Sequence, residues 1–472
     1  MYIHNTLTNR KEEFVPQVEG KVRIYSCGLT VQGYAHIGHI RGAVLFDVIR
    51  RFFRKKGYEV IYVQNFTDID DKIIAKAKHE GVSPASLAEY YISAYLQDEE
   101  EMGIMQADYN PRATHHIKEI IEVVEALIRK GCAYVVDGDV YFSVASFPSY
   151  GKLSKRSLDE MMIGARVEVD ERKRDPRDFA LWKSAKEGEP YWESPWGKGR
   201  PGWHIECSVM SIKYLGVPLD IHAGGQDLIF PHHENEIAQS EAFTGQTFAR
   251  YWLHWAPVNL KGEKMAKSTG NVFIVREALK QFSPQALRLY LLSSHYRSPI
   301  DFDGEKVEEM ERALERAREA EEKVDIALKG TADYSERIVE LPDFGVYREQ
   351  FYSALEDDFN TPRAIASYFS LVSEVGRVID DFLPKPPTSV LLPLWSAKKL
   401  IQELKWVLGI EERRGGKEGR GIEGFVELLI KVRDKLRKQK LYELADEIRS
   451  GLGTLGIVLE DHPGGTIWRM GK

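Results

Sequence analysis

The apolar positions of the first eighty residues alternate between two periods. Lys21–Cys27 (KVRIYSC) and Tyr58–Asn65 (YEVIYVQN) are short apolar runs of strand length. Between them Ile40–Lys55 repeats its apolar residues at helical spacing, and a further helical run begins near Ile69. Strand, glycine-containing turn, helix, strand predicts a βαβ unit of a parallel sheet. Long helices are expected from Leu87, and a hairpin over Ala133–Val144 turning at Asp137-Gly138. Residues up to about Trp196 are rich in Lys, Arg, Asp and Pro and suit an inserted module. Alternation then resumes: helix near Ile205–Leu215, strand at Leu219–Ala223, helix at His232–Phe243, strand near Trp252–Leu260. Beyond Ser268 the pattern is helical, with a charged helix near Glu305–Leu328 and another opening at Asn360-Thr361-Pro362, a capping residue ahead of a proline. The glycine-rich stretch Glu411–Gly424 reads as a linker before a small C-terminal module. The fold class expected is α/β, a Rossmann-type parallel sheet split by an insertion and followed by a helical bundle and that module.

Composition narrows the class little. The 472 residues are 43% hydrophobic and 29% charged, the proportions of a globular protein. No apolar run approaches the ~20 residues that cross a bilayer, and the N-terminus lacks a signal-peptide pattern, so a cytoplasmic, membrane-free protein is expected. The net charge of −7 excludes a diffuse basic coat for nucleic acid but leaves local patches such as 431–440. Three cysteines, Cys27, Cys132 and Cys207, are too few for a disulfide framework and leave metal, catalytic or buried roles.

Two motifs point to a nucleotide. His36-Ile37-Gly38-His39 falls between the first strand and the first helix, where a helix N-terminus offers N–H groups to phosphate. Gly38 allows close approach, and both histidines can donate to phosphoryl oxygens. Lys264-Met265-Ala266-Lys267-Ser268 puts two lysines three apart on a loop able to close over a triphosphate. Each motif is weak alone. A third constellation points to a metal: Cys27 ends the first strand, Cys207 lies in Gly202–Cys207, and His232 and Glu236 stand four apart on one predicted helix face. Two thiolates, an imidazole and a carboxylate suit zinc, and their origin in separate elements suggests a catalytic metal rather than a folding staple. The alternative is that both cysteines are buried small hydrophobes.

In order and context, HxGH and KMxKS resemble the HIGH and KMSKS signatures of class I aminoacyl-tRNA synthetases. CGLTVQGYAHIGH, NFTDIDDK, KRDPRDFALWK, RPGWHIECS, GGQDLIFPHHENEIAQSEA and KMAKS resemble signatures of the cysteinyl-tRNA synthetases across most of residues 20–275. That resemblance implies one zinc ion held by Cys27, Cys207, His232 and Glu236, with His233 the nearest misassignment. It implies a cysteine pocket at Thr67, Trp203, His204 and Asp227, with Asp227 on the ammonium group. Catalysis and ATP–Mg²⁺ contact would fall to His36, Gly38, His39, Lys264 and Lys267. The substrates implied are L-cysteine, ATP and tRNA(Cys), handled by a monomer. The domains expected are a catalytic domain at 1–87 and 201–262, a connective insertion at 88–200, a stem-contact region at 263–330, a tRNA-binding bundle at 331–415 and an anticodon module at 416–472. In that module Arg437, Tyr442, Asp446 and Asp461 would read unpaired bases. Mycothiol ligase, which passes cysteine to an aminosugar, and a non-catalytic RNA-binding paralogue are the rival readings; intact HxGH and loop lysines weigh against the second, and the tail against the first. Departures from the pattern are Leu29, Ala266 and Trp255-Ala256-Pro257.

Overall fold

The computed structural model describes residues 1–156, 172–260, 262–264, 272–329, 341–382, 386–412, 426, 429–437, 441–454, 457–462 and 465–470. The chain divides into two compact units, Met1–Ile410 and Glu411–Lys472.

At the centre of the first unit lies a four-stranded sheet whose order across the sheet is Ala249–Trp255, Leu219–Gly225, Lys21–Thr30, Glu59–Thr67, all parallel. Leu219–Gly225 is almost wholly buried and Lys21–Thr30 is buried or half-buried along its length, as strands covered by helices on two faces must be. The chain leaves Lys21–Thr30 through the Ile37–Lys55 helix toward one edge, and leaves Leu219–Gly225 through the Glu234–Thr244 helix toward the other. A crevice opens where the winding reverses, at the carboxyl ends of the two central strands.

The Ile37–Lys55 helix is buried on nearly every side, so its polar residues Arg41, Asp47, Arg50 and Arg51 are interior groups that need partners. The Pro84–Glu101 helix contributes Leu87, Ala88, Tyr91 and Tyr95 to the same core. An antiparallel sheet of Ala133–Val136, Asp139–Phe142, Phe179–Ser184 and Gly199–Pro201 builds the insertion around its own core. Its first turn has Asp137 at φ 51° and Gly138 at φ 88°, the left-handed pair that a two-residue hairpin favours. Helices Gly304–Lys329, Gly345–Glu356, Thr361–Asp380 and Thr388–Leu408 form the bundle. Asn360 caps the third, accepting from the Arg363 N–H at 3.2 Å.

The second unit contains a Tyr442–Thr454 helix and an antiparallel hairpin, Ile457–His462 with Gly465–Met470, over a small core that includes Val426, Leu452 and Leu459.

Two expected elements differ. The strand expected near Trp252–Leu260 is two, Ala249–Trp255 in the parallel sheet and Val258–Leu260 in a separate small sheet, broken at Ala256-Pro257. The helix of residues 232–243 begins two residues later, at Glu234, and residues Ile229–His233 form a wider π-helical turn with Phe230 in an extended conformation. Pro231 has no N–H to give a regular α-turn, and the wider turn sets His232 ahead of the helix proper.

Candidate active site

Cys27 reaches the crevice because its strand is irregular. The pairing of Lys21–Thr30 with Glu59–Thr67 shifts register between Ser26 and Leu29. Such a bulge re-aims a side chain. Gly28 sits in the bulge so close to the neighbouring strand that a Cβ there would lie 1.7 Å from the Asn65 carbonyl oxygen, while its N–H donates to Asn65 Oδ1 at 2.9 Å. Cys207 comes from the Trp203–Leu215 helix, and His232 and Glu236 from the π-turn and the helix behind it. The ligating atoms of Cys27, Cys207, His232 and Glu236 all lie within 4.8 Å of one another, and all four residues are buried. His232 Nε2 is 3.0 Å from Glu236 Oε1, and the Cys27 thiol donates to the same oxygen at 3.3 Å.

Two thiols and a carboxylate, all buried, form an acid-rich cluster whose members shift one another's titration. Burial and the neighbouring Cys207 push the Cys27 thiol up, whereas the hydrogen bond from Cys27 draws Cys207 down to about 6 against the cost of burial. Burial alone would lower His232, yet Glu236 and Cys207 outweigh it and raise the imidazole to about 10. Burial alone would raise Glu236; His222 and His232 hold it far below the usual carboxylate range. Without a cation the cluster must borrow protons to balance its charge. A divalent ion would serve the same end, and the donor set is the mixed thiolate, imidazole and carboxylate set that zinc accepts.

A second overlapping quartet, Cys27, His222, His233 and Glu236, also converges within 4.8 Å. His222 Nε2 lies 3.2 Å from Glu236 Oε2, and His233 Nε2 lies 3.3 Å from Cys27 Sγ. His233 is itself tied through Nδ1 to His254 Nε2 at 2.7 Å, and His254 Nδ1 reaches Thr6 Oγ1 at 2.8 Å. Gly224 leaves room for this ring, since a Cβ there would meet His233 Cε1 at 2.6 Å. The first quartet has the better chemistry for zinc because it carries two thiols, and His222 and His233 stand behind it as outer partners. The sequence shows no periodic signal for His222 or His254. Each is one histidine within a buried parallel strand.

Beside the cluster opens a cavity of about 630 Å³, lined among others by Cys27, His36, Gly38, His39, Trp203 and Asp227. The metal donors and the HxGH motif thus share one space. His36 and His39 stack at 3.6 Å between ring centroids, and the His36 N–H donates to His39 Nδ1 at 3.3 Å. No acidic residue occupies the first turn of their helix, so its N-terminus stays favourable for an anion. The segment after the loop lysines returns to this place: His36 bridges to Ile274, and the Ile37 N–H donates to the Phe273 carbonyl at 2.9 Å. Lys264 lies in the strand Glu263–Lys264; its side chain, and Lys267 with the rest of 265–271, fall outside the described residues.

Two of the expected cysteine-pocket residues are placed elsewhere. His204 does not line the cavity; its Nδ1 is hydrogen-bonded to His232 Nδ1 at 2.8 Å, where it orients the imidazole from behind. The Thr67 hydroxyl is buried and donates to Glu206 Oε2 at 3.0 Å. In the second unit, Arg437, Tyr442 and Asp446 are exposed on helical backbone, and Asp461 lies in the Ile457–His462 strand with its side chain outside the description.

Comparison with known proteins gives the lineage. Residues 13–312 match the family described as the tRNA synthetases class I (C) catalytic domain, and residues 350–411 match the DALR domain. A cysteine--tRNA ligase of Carboxydothermus hydrogenoformans is 52% identical, with 99% of this chain and all of the relative covered. One from Dehalococcoides mccartyi is 50% identical over the whole of both chains. The chain belongs to the cysteine--tRNA ligase family. It is an aminoacyl-tRNA synthetase of class I, as the motifs imply. Among solved structures, the methionyl-tRNA synthetase of Mycobacterium tuberculosis with methionyl-adenylate superposes with a TM-score of 0.61 at 15% identity, covering 82% of this chain and 89% of that one. At such identity the likeness carries the fold, the α/β class expected. No helix among the described residues is long and apolar enough to cross a membrane.

Proposed function

We propose that the protein activates L-cysteine with ATP and Mg²⁺ and transfers it to the terminal adenosine of tRNA(Cys), acting as a monomer in the cytoplasm. The observation that carries this reading is that the thiol-rich donor cluster opens on the cavity that the HxGH motif lines. The cysteine carboxylate attacks the α-phosphorus; the bond to the leaving pyrophosphate breaks, giving cysteinyl-adenylate. The 2′-hydroxyl of the tRNA terminus then attacks the carbonyl carbon and AMP departs. His36 and His39 donate to phosphoryl oxygens at the helix N-terminus, Gly38 lets the nucleotide approach, and Lys264 and Lys267 bring positive charge from the loop. Asp227 takes the ammonium group and Trp203 closes the side of the cavity, while Thr67 and His204 act on the pocket through Glu206 and His232.

Cys27, Cys207, His232 and Glu236 would hold one zinc ion. When bound it supplies a soft Lewis acid that prefers the substrate's thiolate to a hydroxyl. That preference answers a problem that shape alone handles poorly, because a pocket separates near-isosteres by only roughly 10- to 200-fold. In the second unit, Arg437, Tyr442, Asp446 and Asp461 read unpaired anticodon bases.

Pyrophosphate exchange with cysteine and with serine, followed by charging of tRNA(Cys), tests the scheme. Cysteine-dependent exchange and charging with serine strongly rejected is the expected result. Exchange without charging would remove the tRNA acceptor and favour an aminosugar.

A further inference from the structure

Beside the cavity, four segments bring rings and cations together. Tyr34 precedes the HxGH motif, Tyr90 and Tyr91 lie on the Pro84–Glu101 helix, and Arg276 lies on the Val275–Gln281 helix that follows the lysine loop. Tyr34 and Tyr90 join through their hydroxyls, and the Tyr34 ring meets the edge of Tyr91 at 5.4 Å. Arg276 stacks over Tyr34 at 4.3 Å, pinned by Asp98 Oδ1 at 2.9 Å and the Ala94 carbonyl at 3.1 Å. Lys76, from the Asp71–Glu80 helix, sits 4.6 Å over Tyr91 and donates to the Tyr91 hydroxyl and the Gln32 carbonyl, both at 2.9 Å.

This cluster is continuous with the cavity. Gln32 lines the cavity wall, as do Tyr95, one turn beyond Tyr91, and Lys72, one turn before Lys76. Arg276 and Lys76 have acidic partners in Asp98 and Glu80, but Lys72 forms no ion pair among the described residues. Tyr90, 56% exposed and held by its hydroxyl, presents a ring already fixed in place. An aromatic platform flanked by cations, leading into a cavity for a nucleotide, matches what single-stranded nucleic acid requires: rings for bases and charges for phosphates.

We infer that this rim receives the unpaired 3′ end of the RNA acceptor: a base stacks on Tyr90, and Lys72 and Lys76 lie along the adjoining phosphates. The inference rests on the proposed tRNA acceptor. It names a path into the site and leaves adenylate formation untouched.

The test replaces Tyr90 with Ala, Phe and Trp in the full-length protein. Three quantities are measured: pyrophosphate exchange without RNA, the KM for tRNA(Cys) in charging, and binding of tRNA(Cys) with and without its last three nucleotides. Tyr90→Ala should raise the KM by roughly 5- to 150-fold, the value of one lost base stack, and leave exchange unchanged. Tyr90→Phe and Tyr90→Trp should restore most of the loss. Binding by Tyr90→Ala should respond less than wild type to removal of the 3′ nucleotides, the remainder of the response coming from Lys72 and Lys76. Unchanged charging by Tyr90→Ala overturns the inference, and so does a Phe variant as poor as Ala, or a parallel fall in exchange. A wild-type protein that exchanges but charges no tRNA would instead overturn the proposed acceptor.

Discussion

Two buried clusters of charged groups differ in whether they carry their own counter-charges. In the rear network of the Ile37–Lys55 helix, Asp47 accepts from Arg51 at 2.8 Å, from Arg288 at 2.6 Å and from the Met105 N–H at 2.9 Å, with Arg50 at 3.5 Å. Most of the other guanidinium donors go to carbonyls, Arg288 to Leu408 and Met102, Arg51 to Trp406 and Gly103, Arg50 to Met105 and Gln106, and only the buried Arg50 Nε among these three side chains has no hydrogen-bond partner. Those contacts tie the helix to the bundle. In the other cluster, two thiols and a carboxylate, Cys27, Cys207 and Glu236, meet the imidazoles of His232, His222 and His233, and no lysine or arginine among the described residues forms an ion pair with Glu236. A closed polar network is structural, whereas one that needs an outside cation is built to receive something.

The sharpest way to break this contrast is to remove one donor from each cluster. Cys27→Ser exchanges a soft ligand for a hard one in the proposed zinc site. It should lose most of its zinc and cut cysteine activation by about 1,000-fold or more, with the thermal melt of the second unit unaffected. Metal analysis and pyrophosphate exchange give the answer, and full zinc with full exchange would refute the ligand set. Asp47→Ala is the counterpart. It strands three guanidiniums in the interior, and breaking a buried charge network of this kind costs about 3–5 kcal/mol. Denaturation midpoints should fall accordingly, while protein that remains folded keeps its zinc. A loss of zinc without a loss of stability would mean that the two clusters are not separate.

The same contrast explains what the sequence made legible. The parallel sheet and the Ile37–Lys55 helix follow from local periodicity, and the donor quartet follows from motif residues that resemblance groups together. The Asp47 network does not. Asp47, Arg50 and Arg51 are visible as an i, i+3, i+4 set, but on a helix face that pattern ordinarily means exposed ion pairing. Their burial depends on Arg288 and on carbonyls up to 355 positions away, information that no local period holds. His204 and Thr67 show the same limit: a motif names them, but only packing shows that one turns to His232 and the other to Glu206.

The smallest expected effect tests how closed the rear network is. Glu99, on the Pro84–Glu101 helix, is buried at its edge, and burial raises its carboxyl to about 7, with Tyr95, Arg50 and Asp47 as its charged or titratable neighbours and Tyr62 close by. The rise means that a neutral Glu99 stabilises the fold relative to an ionised one. That contribution is complete below the ordinary carboxylate range and is lost as pH climbs through about 7. Stability should therefore fall across that window by at most about 1.4 kcal/mol per pH unit from this group. Glu99→Gln keeps the neutral shape and should flatten the part of the pH profile that is due to Glu99. Denaturant midpoints for wild type and variant from pH 5 to 8 make the comparison. Parallel profiles would mean that Arg50 neutralises Glu99 as fully as it helps to neutralise Asp47, and that the rear network closes around both carboxylates.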